Sequence, residues 1–300
     1  MEHILSAAQF DRAALLKIFA EAETMEKILA KGGSNMAKGK ILATLFYEPS
    51  TRTRLSFETA MLRLGGEVIS ETDVNFSSAA KGEILPDTIR VVGNCADIIA
   101  LRSKNAGDAL LASEYSSVPI INAGDGPGEH PTQSLLDLFT IQKQFKLGEE
   151  PIRIAFVGDL KYGRTVHSLS TMIRNFENID ITFIAPEEVQ IPDKYFGKND
   201  QKKMELDDDI LRHADVIYVT RVQRERFERV SDYEKVQDAF QLTPENVSKM
   251  KKGALLLHPL PRVNEIALEV DALPQAQYFA QARNGIPVRM ALIARLLKLA

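Results

Sequence analysis

The apolar positions of this sequence follow two periods that alternate along the chain. Leu15, Ile18, Phe19, Ala22 and Met25 recur at helical spacing, which predicts an amphipathic helix over residues 10–31. The segments between the helical stretches predict strands at 41–47, 67–71, 96–101, 118–122, 152–157, 180–185, 215–220 and 254–257, of which 96–101 and 215–220 are predicted to be buried. Helical or turn-rich segments separate these strands. Alternating strands and helices indicate an α/β fold with parallel sheets.

One break in this alternation divides the chain. The stretch Gly148-Glu149-Glu150-Pro151 is polar and turn-forming, and a second series of strands and helices begins after it. We therefore predict two doubly wound parallel-sheet domains, 1–147 and 148–285, with a cleft between them. A strongly apolar helix over about 286–300 is predicted to pack back and complete the first domain. In sheets of this kind, ligands bind beyond the carboxyl ends of the strands.

Composition limits the functions that the chain can have. The net charge of −4 and the pI near 5.8 predict no basic surface for nucleic acid or an anionic membrane. No apolar run approaches the ~18 residues of a membrane span, and no basic-then-apolar signal region is seen, so we expect a cytoplasmic protein. Cys95 is the only cysteine, which excludes a disulfide within one chain and a cysteine-based zinc site. Its apolar neighbours predict a buried packing thiol.

The segment Ser50-Thr51-Arg52-Thr53-Arg54 opens the helix that follows the first predicted strand. A helix N-terminus carries partial positive charge and favours acidic side chains, so two arginines in the first turn require a compensating anion. Backbone N–H groups, hydroxyls and guanidinium groups at one helix start suit a phosphate. The alternative is a solvated turn in which Ser50 or Thr51 is the N-cap. The two arginines favour phosphate binding.

Further candidates stand where other predicted strands end. Arg102 follows the strand at 96–101, His130 and Gln133 flank the helix start at Pro131, and Lys81 lies in a long loop predicted over 72–85. Because the carboxyl ends of parallel strands share one edge, Arg52, Arg102 and His130 are predicted to converge. Three separate segments at one edge strengthen the prediction of an anion site.

The second half of the chain repeats this arrangement. Residues 158–165 join a strand to a helix without the G-x-G-x-x-G spacing of a dinucleotide site. Within them, Lys161 and Arg164 either face the interdomain cleft or are solvated. Two more motifs follow strands, Arg221-Val222-Gln223 and His258-Pro259-Leu260-Pro261-Arg262. His258 is interpreted as a strand-end histidine bonded to backbone rather than as a catalytic group. The adjacent aspartates 207–209 cannot all face one ion, so no metal site is predicted.

Three of these motifs together resemble the aspartate/ornithine transcarbamylase family, over nearly the whole chain. They are Ser50-Thr51-Arg52-Thr53-Arg54, His130-Pro131-Thr132-Gln133 and His258-Pro259-Leu260-Pro261-Arg262. The first two are shared by both branches of the family, whereas the third, with Arg221-Val222-Gln223, is similar to the aspartate branch. The cysteine after the histidine and the Ser-Met-Gly loop that are typical of the ornithine branch do not occur here.

The resemblance implies an activity and a set of residues. The carbamoyl group of carbamoyl phosphate would pass to the α-amino group of L-aspartate, giving N-carbamoyl-L-aspartate and phosphate in de novo pyrimidine biosynthesis, without cofactor or metal. The first domain would bind carbamoyl phosphate and the second aspartate. The implied ligands of the phosphate are Ser50, Thr51, Arg52, Thr53 and Arg102, with His130 and Gln133 at the carbamoyl end; those of aspartate are Arg164, Arg221 and Gln223, with Leu260 and Pro261 in the adjoining loop.

It also implies a homotrimer in which Ser77 and Lys81 complete the site of a neighbouring subunit, and it leaves the presence of regulatory chains open. The implied catalytic residues are Arg52, Thr53, Lys81, Arg102 and His130. Thr53, Arg102 and His130 would stabilise an oxyanion, whereas Arg52 and Lys81 would hold the leaving phosphate. Arg54 would be structural or lie at the subunit interface.

Three rival functions remain. They are a transcarbamylase for another amine such as ornithine, a nicotinamide-dependent dehydrogenase, and a catalytically silent protein that binds phosphate-bearing ligands. The missing glycine fingerprint argues against the dehydrogenase. The presence of Arg52, Lys81, Arg102 and His130 together argues against the silent protein.

Overall fold

The structure of the protein is a computed structural model that describes residues 2–71, 78–224, 227, 229, 233–236 and 239–299. The chain folds into two compact units. Unit 1 comprises Met1–Leu135 with Asn284–Ala300, and unit 2 comprises Leu136–Arg283. Each unit is built around one parallel β-sheet in the part of the chain that is described.

The sheet of unit 1 contains, among the described residues, β1 (Ile41–Phe46), β2 (Glu67–Glu71), β3 (Ile98–Ser103) and β4 (Ile120–Asp125). The order is β2-β1-β3-β4, and every neighbouring pair is parallel. The register places Phe46 opposite Arg102 and Ser103 opposite Asp125. β3 and β4 are buried along their whole length, as is typical of parallel strands covered on both faces.

Helices cover this sheet. They are α1 (Arg12–Ala30), α2 (Thr51–Arg63), α3 (Leu85–Gly93) and α4 (Asp108–Tyr115), and α5 (Pro131–Gln144) begins in unit 1. The Asp11 side chain caps α1 by accepting a hydrogen bond from the Ala14 N–H at 2.8 Å. The five apolar residues whose spacing predicts α1 are all buried, so the helical period marks its core-facing side.

The sheet of unit 2 has the order β7-β6-β5-β8-β9, and its described neighbours are parallel. Its strands are β5 (Ile152–Gly158), β6 (Ile179–Ile184), β7 (Gln201–Lys203), β8 (Val216–Thr220) and β9 (Leu255–Leu257), and its helices include α6 (Arg164–Ile173), α7 (Asp208–His213) and α8 (Pro244–Val247). In the core, the Phe156 ring stacks on Phe183 at a centroid distance of 5.5 Å and meets Tyr218 edge-on at 5.6 Å.

The last helix, α9 (Tyr278–Leu296), begins upstream of the predicted start and contains Pro287. A proline favours the first turn of a helix and removes a hydrogen bond from its interior, which is why the pattern predicts a later start. Tyr278 before Pro287 and Val288 and Met290 after it are fully buried, so packing is present on both sides of the proline. Within unit 1, Arg295 pairs with Glu21 of α1 at 3.0 Å and Arg289 donates to Ser56 of α2 at 2.8 Å.

Two expectations are wrong. Cys95 is exposed rather than buried, because it lies in the turn after α3 and not on the inner face of a helix. The polar stretch around Lys202 and Lys203, where the pattern predicts solvated loop and no strand, forms β7. β7 is an edge strand, and two of its three side chains are exposed, so it carries no apolar run that the sequence pattern would reveal.

The predicted fold class is confirmed: the protein has two parallel sheets with flanking helices and a C-terminal helix. Among the described residues, no helix combines the length and the apolar character that crossing a membrane requires. The cytoplasmic location stays a prediction.

Replacing Phe156 by alanine tests the core of unit 2. Phe156 is fully buried and contacts two other rings, so Phe156→Ala should lower the free energy of unfolding by about 3–5 kcal/mol. Leu268→Ala is the control, because Leu268 is 74% exposed and its loss should cost less than about 0.5 kcal/mol. Urea denaturation of both variants at one protein concentration measures the difference. Equal effects would contradict the assigned packing.

Candidate active site

The start of α2 has the features of an anion site. Ser50 stands at the N-cap, but its side chain makes no capping hydrogen bond, and the first turn contains no acidic residue. Arg52 is exposed in that turn, whereas Arg54 points along the helix and pairs with Glu58 at 3.1 Å. The N–H groups of the first turn and Arg52 therefore present positive charge at the end of β1. The ion pair accounts for Arg54 as a structural residue.

Arg102 lies at the same edge of the sheet, one strand away. Its side chain is only 7% exposed. The guanidinium group donates from Nε to Glu48 at 2.8 Å and from Nη1 to the Ala123 carbonyl at 3.1 Å, and its Nη2 lies 2.6 Å from Glu48. A buried charge needs such partners. They fix the plane of the guanidinium group between β1 and β4.

His130 is held at the start of α5. Its ring is buried, and its carbonyl accepts hydrogen bonds from the N–H groups of Gln133 and Ser134. The preceding loop is closed by Asp125, which accepts from the Glu129 N–H at 2.7 Å and the Gly107 N–H at 2.9 Å. The Glu129 carboxylate in turn accepts from Ser6 Oγ and the Ala7 N–H. The imidazole therefore stands on a loop that is fixed on both sides.

Of the two residues predicted to act on a neighbouring subunit, Lys81 is among the described residues and Ser77 is not. Lys81 is exposed and ends a short 3-10 helix, Ser78–Lys81.

In unit 2, candidate residues follow the adjacent strands β5 and β8. Arg164 is the first residue of α6 and is partly buried, whereas Lys161 is exposed with its ammonium group 5.2 Å from the Tyr162 ring centroid. Arg221 and Gln223 directly follow β8. Gln223 Nε2 donates to the Tyr162 carbonyl at 3.0 Å. This bond joins the loop after β8 to the loop after β5.

Asp159 fastens these two loops. It is fully buried, and its carboxylate accepts from the Tyr162 N–H at 2.9 Å and the Gln223 N–H at 3.2 Å. Burial raises the pKa of Asp159 to about 6, although these N–H groups and the nearby Arg221 charge act to lower it. Gly158 precedes it at a φ of 115°, and a Cβ there would lie 2.1 Å from the Thr220 carbonyl oxygen. Only glycine allows the two strands to approach so closely.

His167 supports the same loop from α6. Its Nε2 lies 2.8 Å from the Leu160 carbonyl, and its ring stacks on Tyr195 at 4.0 Å. Burial lowers the pKa of His167 to about 4, so the ring is neutral at pH 7 and donates from Nε2 to the carbonyl. His167 therefore acts as a structural residue.

The loop after β9 is organised by His258. The ring is 1% exposed; its Nδ1 accepts from the Leu260 N–H at 2.8 Å and its Nε2 lies 2.7 Å from Glu265. Glu265 also accepts from the N–H groups of Val263 and Asn264. These bonds support the interpretation of His258 as a histidine that holds backbone. Arg262 pairs with Asp271 and lies over the Tyr278 ring.

Each unit thus assembles its own set of groups at the carboxyl edge of its sheet. Unit 1 offers a helix N-terminus, an exposed arginine, a buried arginine and a histidine. These groups suit a phosphate that is joined to a second polar group. Unit 2 offers two arginines at neighbouring strand ends, and paired guanidinium groups suit a ligand with two carboxylates.

Two models of one protein family match the chain. Residues 2–143 match the family model described as aspartate/ornithine carbamoyltransferase, carbamoyl-P binding domain, and residues 150–296 match the Asp/Orn binding domain of the same family. The chain belongs to the aspartate/ornithine carbamoyltransferase family. The resemblance noted in the sequence is therefore confirmed.

Within the carbamoyltransferase family, the chain is similar to proteins named aspartate carbamoyltransferase catalytic subunit. The one from Methanocaldococcus jannaschii is 52% identical, covering 99% of this chain and 98% of the relative. The one from Methanococcus aeolicus is 51% identical, covering 98% and 96%.

Solved structures of carbamoyltransferases have the same fold. The catalytic subunit of M. jannaschii aspartate transcarbamoylase superposes with a TM-score of 0.90 at 52% identity, covering 99% of this chain and 98% of that chain. Aspartate transcarbamoylase from Trypanosoma cruzi in complex with carbamoyl phosphate and aspartate gives a TM-score of 0.90 at 37% identity, covering 97% and 95%.

The sequence pattern points to candidate cations at the strand ends but not to the acidic residues that contact them. Glu48, Asp159 and Glu265 each orient a predicted motif. Glu265 lies three residues after Arg262, and an acidic residue so close to a strand-end motif is a signal that could have indicated it, whereas Glu48 and Asp159 lie 54 and 64 residues from Arg102 and Gln223. Their partners are known only from the tertiary contacts.

The raised pKa of Asp159 predicts how stability depends on pH. Between pH 4 and 6 the folded protein holds a proton on Asp159 that the unfolded chain, with a pKa of 3.8, has released. Folding stability therefore falls as pH rises through this window. The loss amounts to about 3 kcal/mol, since one pKa unit corresponds to roughly 1.4 kcal/mol.

Asp159→Asn should abolish that loss, because asparagine does not ionise. Unfolding free energies of the two proteins, measured from pH 4.5 to 7.5, should differ progressively in favour of the variant as pH rises. Asp180→Asn, at an exposed position of β6, is the matched control. A pH-independent difference between Asp159→Asn and the parent would contradict the assignment.

Proposed function

We propose that the protein transfers the carbamoyl group of carbamoyl phosphate to the α-amino group of L-aspartate, giving N-carbamoyl-L-aspartate and phosphate in de novo pyrimidine biosynthesis. One observation carries this proposal: over 97% of its length the chain is similar to a structure whose bound molecules are carbamoyl phosphate and aspartate. The aspartate-branch motifs Arg221-Val222-Gln223 and His258-Pro259-Leu260-Pro261-Arg262 support aspartate rather than ornithine.

Carbamoyl phosphate binds to residues of unit 1 in this proposal. The phosphate takes the first-turn N–H groups and hydroxyls of Ser50, Thr51 and Thr53, together with Arg52 and Arg102. His130 and Gln133 address the carbamoyl end. The pairing of Arg102 with Glu48 and Ala123 supports this role, because a guanidinium group already fixed in its plane loses little entropy when it binds.

Aspartate binds to residues of unit 2. Arg164 and Arg221 neutralise the two carboxylates of aspartate, and Gln223 forms a hydrogen bond with the same substrate. The backbone at Leu260 and Pro261 adds contacts to the amino group. The bonds that Asp159 makes to both loops support this arrangement, because they hold the positions of Arg164 and Arg221 together.

The reaction follows from these groups without a dedicated protein base. The neutral amine attacks the carbamoyl carbon and forms a tetrahedral intermediate, whose oxyanion is stabilised by Thr53, Arg102 and His130. One preorganised donor of this kind contributes about 3–4 kcal/mol to transition-state stabilisation. The intermediate expels phosphate, which is held by Arg52 and Lys81 and accepts the proton lost by the amine. Positioning and charge neutralisation supply most of the acceleration.

The complete site requires a homotrimer, with Ser77 and Lys81 delivered from the neighbouring subunit. Exposed apolar residues on unit 1 support burial against another copy: Leu55 and Leu62 on α2, Ile69 on β2 and Val91 on α3 are each at least 41% exposed.

The relatives are named catalytic subunits, so regulatory chains are proposed as further partners. Residues 1–147 with 286–300 form the carbamoyl-phosphate domain, and 148–285 the aspartate domain.

Parallel assays with two amines test the proposed reaction. Purified protein is incubated with carbamoyl phosphate and either L-aspartate or L-ornithine, and the carbamoylated product is quantified. We expect product with aspartate only. Product with ornithine only would overturn the substrate assignment, and no product with either amine would overturn the proposed reaction.

Mixing two inactive variants tests the shared site. Arg52→Ala and Lys81→Ala should each reduce turnover by orders of magnitude, since each removes charge that stabilises the leaving phosphate. Dissociating and reassembling the two variants together should restore part of the activity, because hybrid trimers contain a site with both residues intact. Each variant reassembled alone is the control. No recovery in verified mixed trimers would contradict delivery of Lys81 across the interface.

A further inference from the structure

A buried polar network in unit 2 has no role in the reaction as described above. Its centre is Asp137 on α5, whose side chain is 0% exposed. One carboxylate oxygen accepts a hydrogen bond from the Tyr218 hydroxyl at 2.7 Å, and the other accepts from Gln281 Nε2 on α9 at 2.6 Å. A buried carboxylate is stable only when donors surround it, so both donors are held in place by the carboxylate.

Gln281 passes this constraint to the loop after β9. Its Oε1 accepts the backbone N–H of His258 at 2.9 Å. A glutamine amide has one accepting and one donating side, and Asp137 takes the donating side. The oxygen therefore has to face His258. If the amide turned over, its NH2 group would meet the His258 N–H, donor against donor.

Gln281 holds the backbone of His258, and His258 in turn holds the backbone of Leu260. His258 Nδ1 accepts the Leu260 N–H, and Leu260 has a φ of 56°. A leucine in the left-handed region is strained and persists only where surrounding bonds impose it. The chain from Gln281 to His258 to Leu260 supplies those bonds, and Leu260 is the residue whose backbone is assigned to aspartate.

The other end of the network reaches the start of α6. Tyr218 also bonds with the side chain of Thr165, the residue after Arg164. Burial raises the pKa of Tyr218 far above its usual range, so the hydroxyl remains a donor to Asp137. One network thus touches both the segment that carries Arg164 and the loop that carries Leu260.

We propose that Asp137 and Gln281 are positioning residues for aspartate: their hydrogen bond sets the orientation of the Gln281 amide and thereby places the 258–262 loop for the amino acid substrate. The inference rests on the proposed function of unit 2. Neither residue contacts substrate. Their loss should affect aspartate binding and leave carbamoyl phosphate binding in place.

Exchanging donor and acceptor between the two residues tests this inference. In Asp137→Asn the new carboxamide oxygen faces the Tyr218 hydroxyl, which stays a donor because its own oxygen accepts from Thr165. The new NH2 then faces the Gln281 NH2, so the glutamine turns over and its bond to His258 is lost. In Gln281→Glu two carboxylates meet in a buried site. The double variant restores all three bonds with unchanged net charge, because the new asparagine accepts from Tyr218 and donates to the new glutamate, which accepts from His258.

We expect each single variant to raise the KM for aspartate about tenfold or more while the KM for carbamoyl phosphate stays within about twofold, since only uniform binding of one substrate is weakened. The double variant should return to within about threefold of the parent for both substrates. Gln277→Glu is the matched control: the same substitution one turn earlier, where the side chain bonds the Pro274 carbonyl, should leave both KM values unchanged.

Hydrogen exchange separates this inference from the proposed reaction. Exchange of the His258 amide, followed in a peptide spanning 254–262, should accelerate in the single variants and return to the parental rate in the double variant, whatever the reaction is. Parental exchange and kinetics in both singles would overturn the inference, as would a folded double variant with a raised aspartate KM. If a single variant does not fold, recovery of the folded double variant with a parental aspartate KM supports it.

Discussion

Parallel strand pairing is the constraint on which both candidate sites depend. It brings the carboxyl ends of β1, β3 and β4 to one edge in unit 1, and those of β5, β8 and β9 to one edge in unit 2. Backbone beyond those ends leaves the ladder and its groups become available to ligands. The register puts Phe46 opposite Arg102 and Gly158 opposite Thr220, so residues distant in sequence become neighbours at the same level of the sheet.

The cations at these edges are kept in place by acidic groups. Arg102 would be costly to bury alone, and Glu48 offsets that cost while fixing the guanidinium plane. Asp159 contacts backbone instead of a guanidinium group. It accepts from the Tyr162 and Gln223 N–H groups and so joins the segments that carry Arg164 and Arg221. Burying Asp159 has a cost, which its raised pKa shows. Away from water, the carboxylate is less stable as an anion than it would be in solvent.

The two units hold their candidate groups by different means. Unit 1 relies on a helix start without a side-chain cap and on loops closed by Asp125 and Glu129. Unit 2 relies on a buried network in which Asp137 fixes an amide and His258 supports a strained Leu260. A phosphate is recognised by many similar donors, whereas an amino acid with two carboxylates requires each group at one position.

The α/β class, most of the strands and the strand-end motifs from Arg52 to Arg262 follow from the sequence pattern, because period and turn chemistry are local properties. It misplaced Cys95, the start of α9 and the edge strand β7, where burial or pairing depends on distant segments. Three contacts exist only in the folded chain: Arg102 pairs with Glu48, Gln223 donates to Asp159, and Gln281 donates to Asp137. These partners lie 54, 64 and 144 residues apart, and no local pattern encodes a contact that exists only after the sheets have formed.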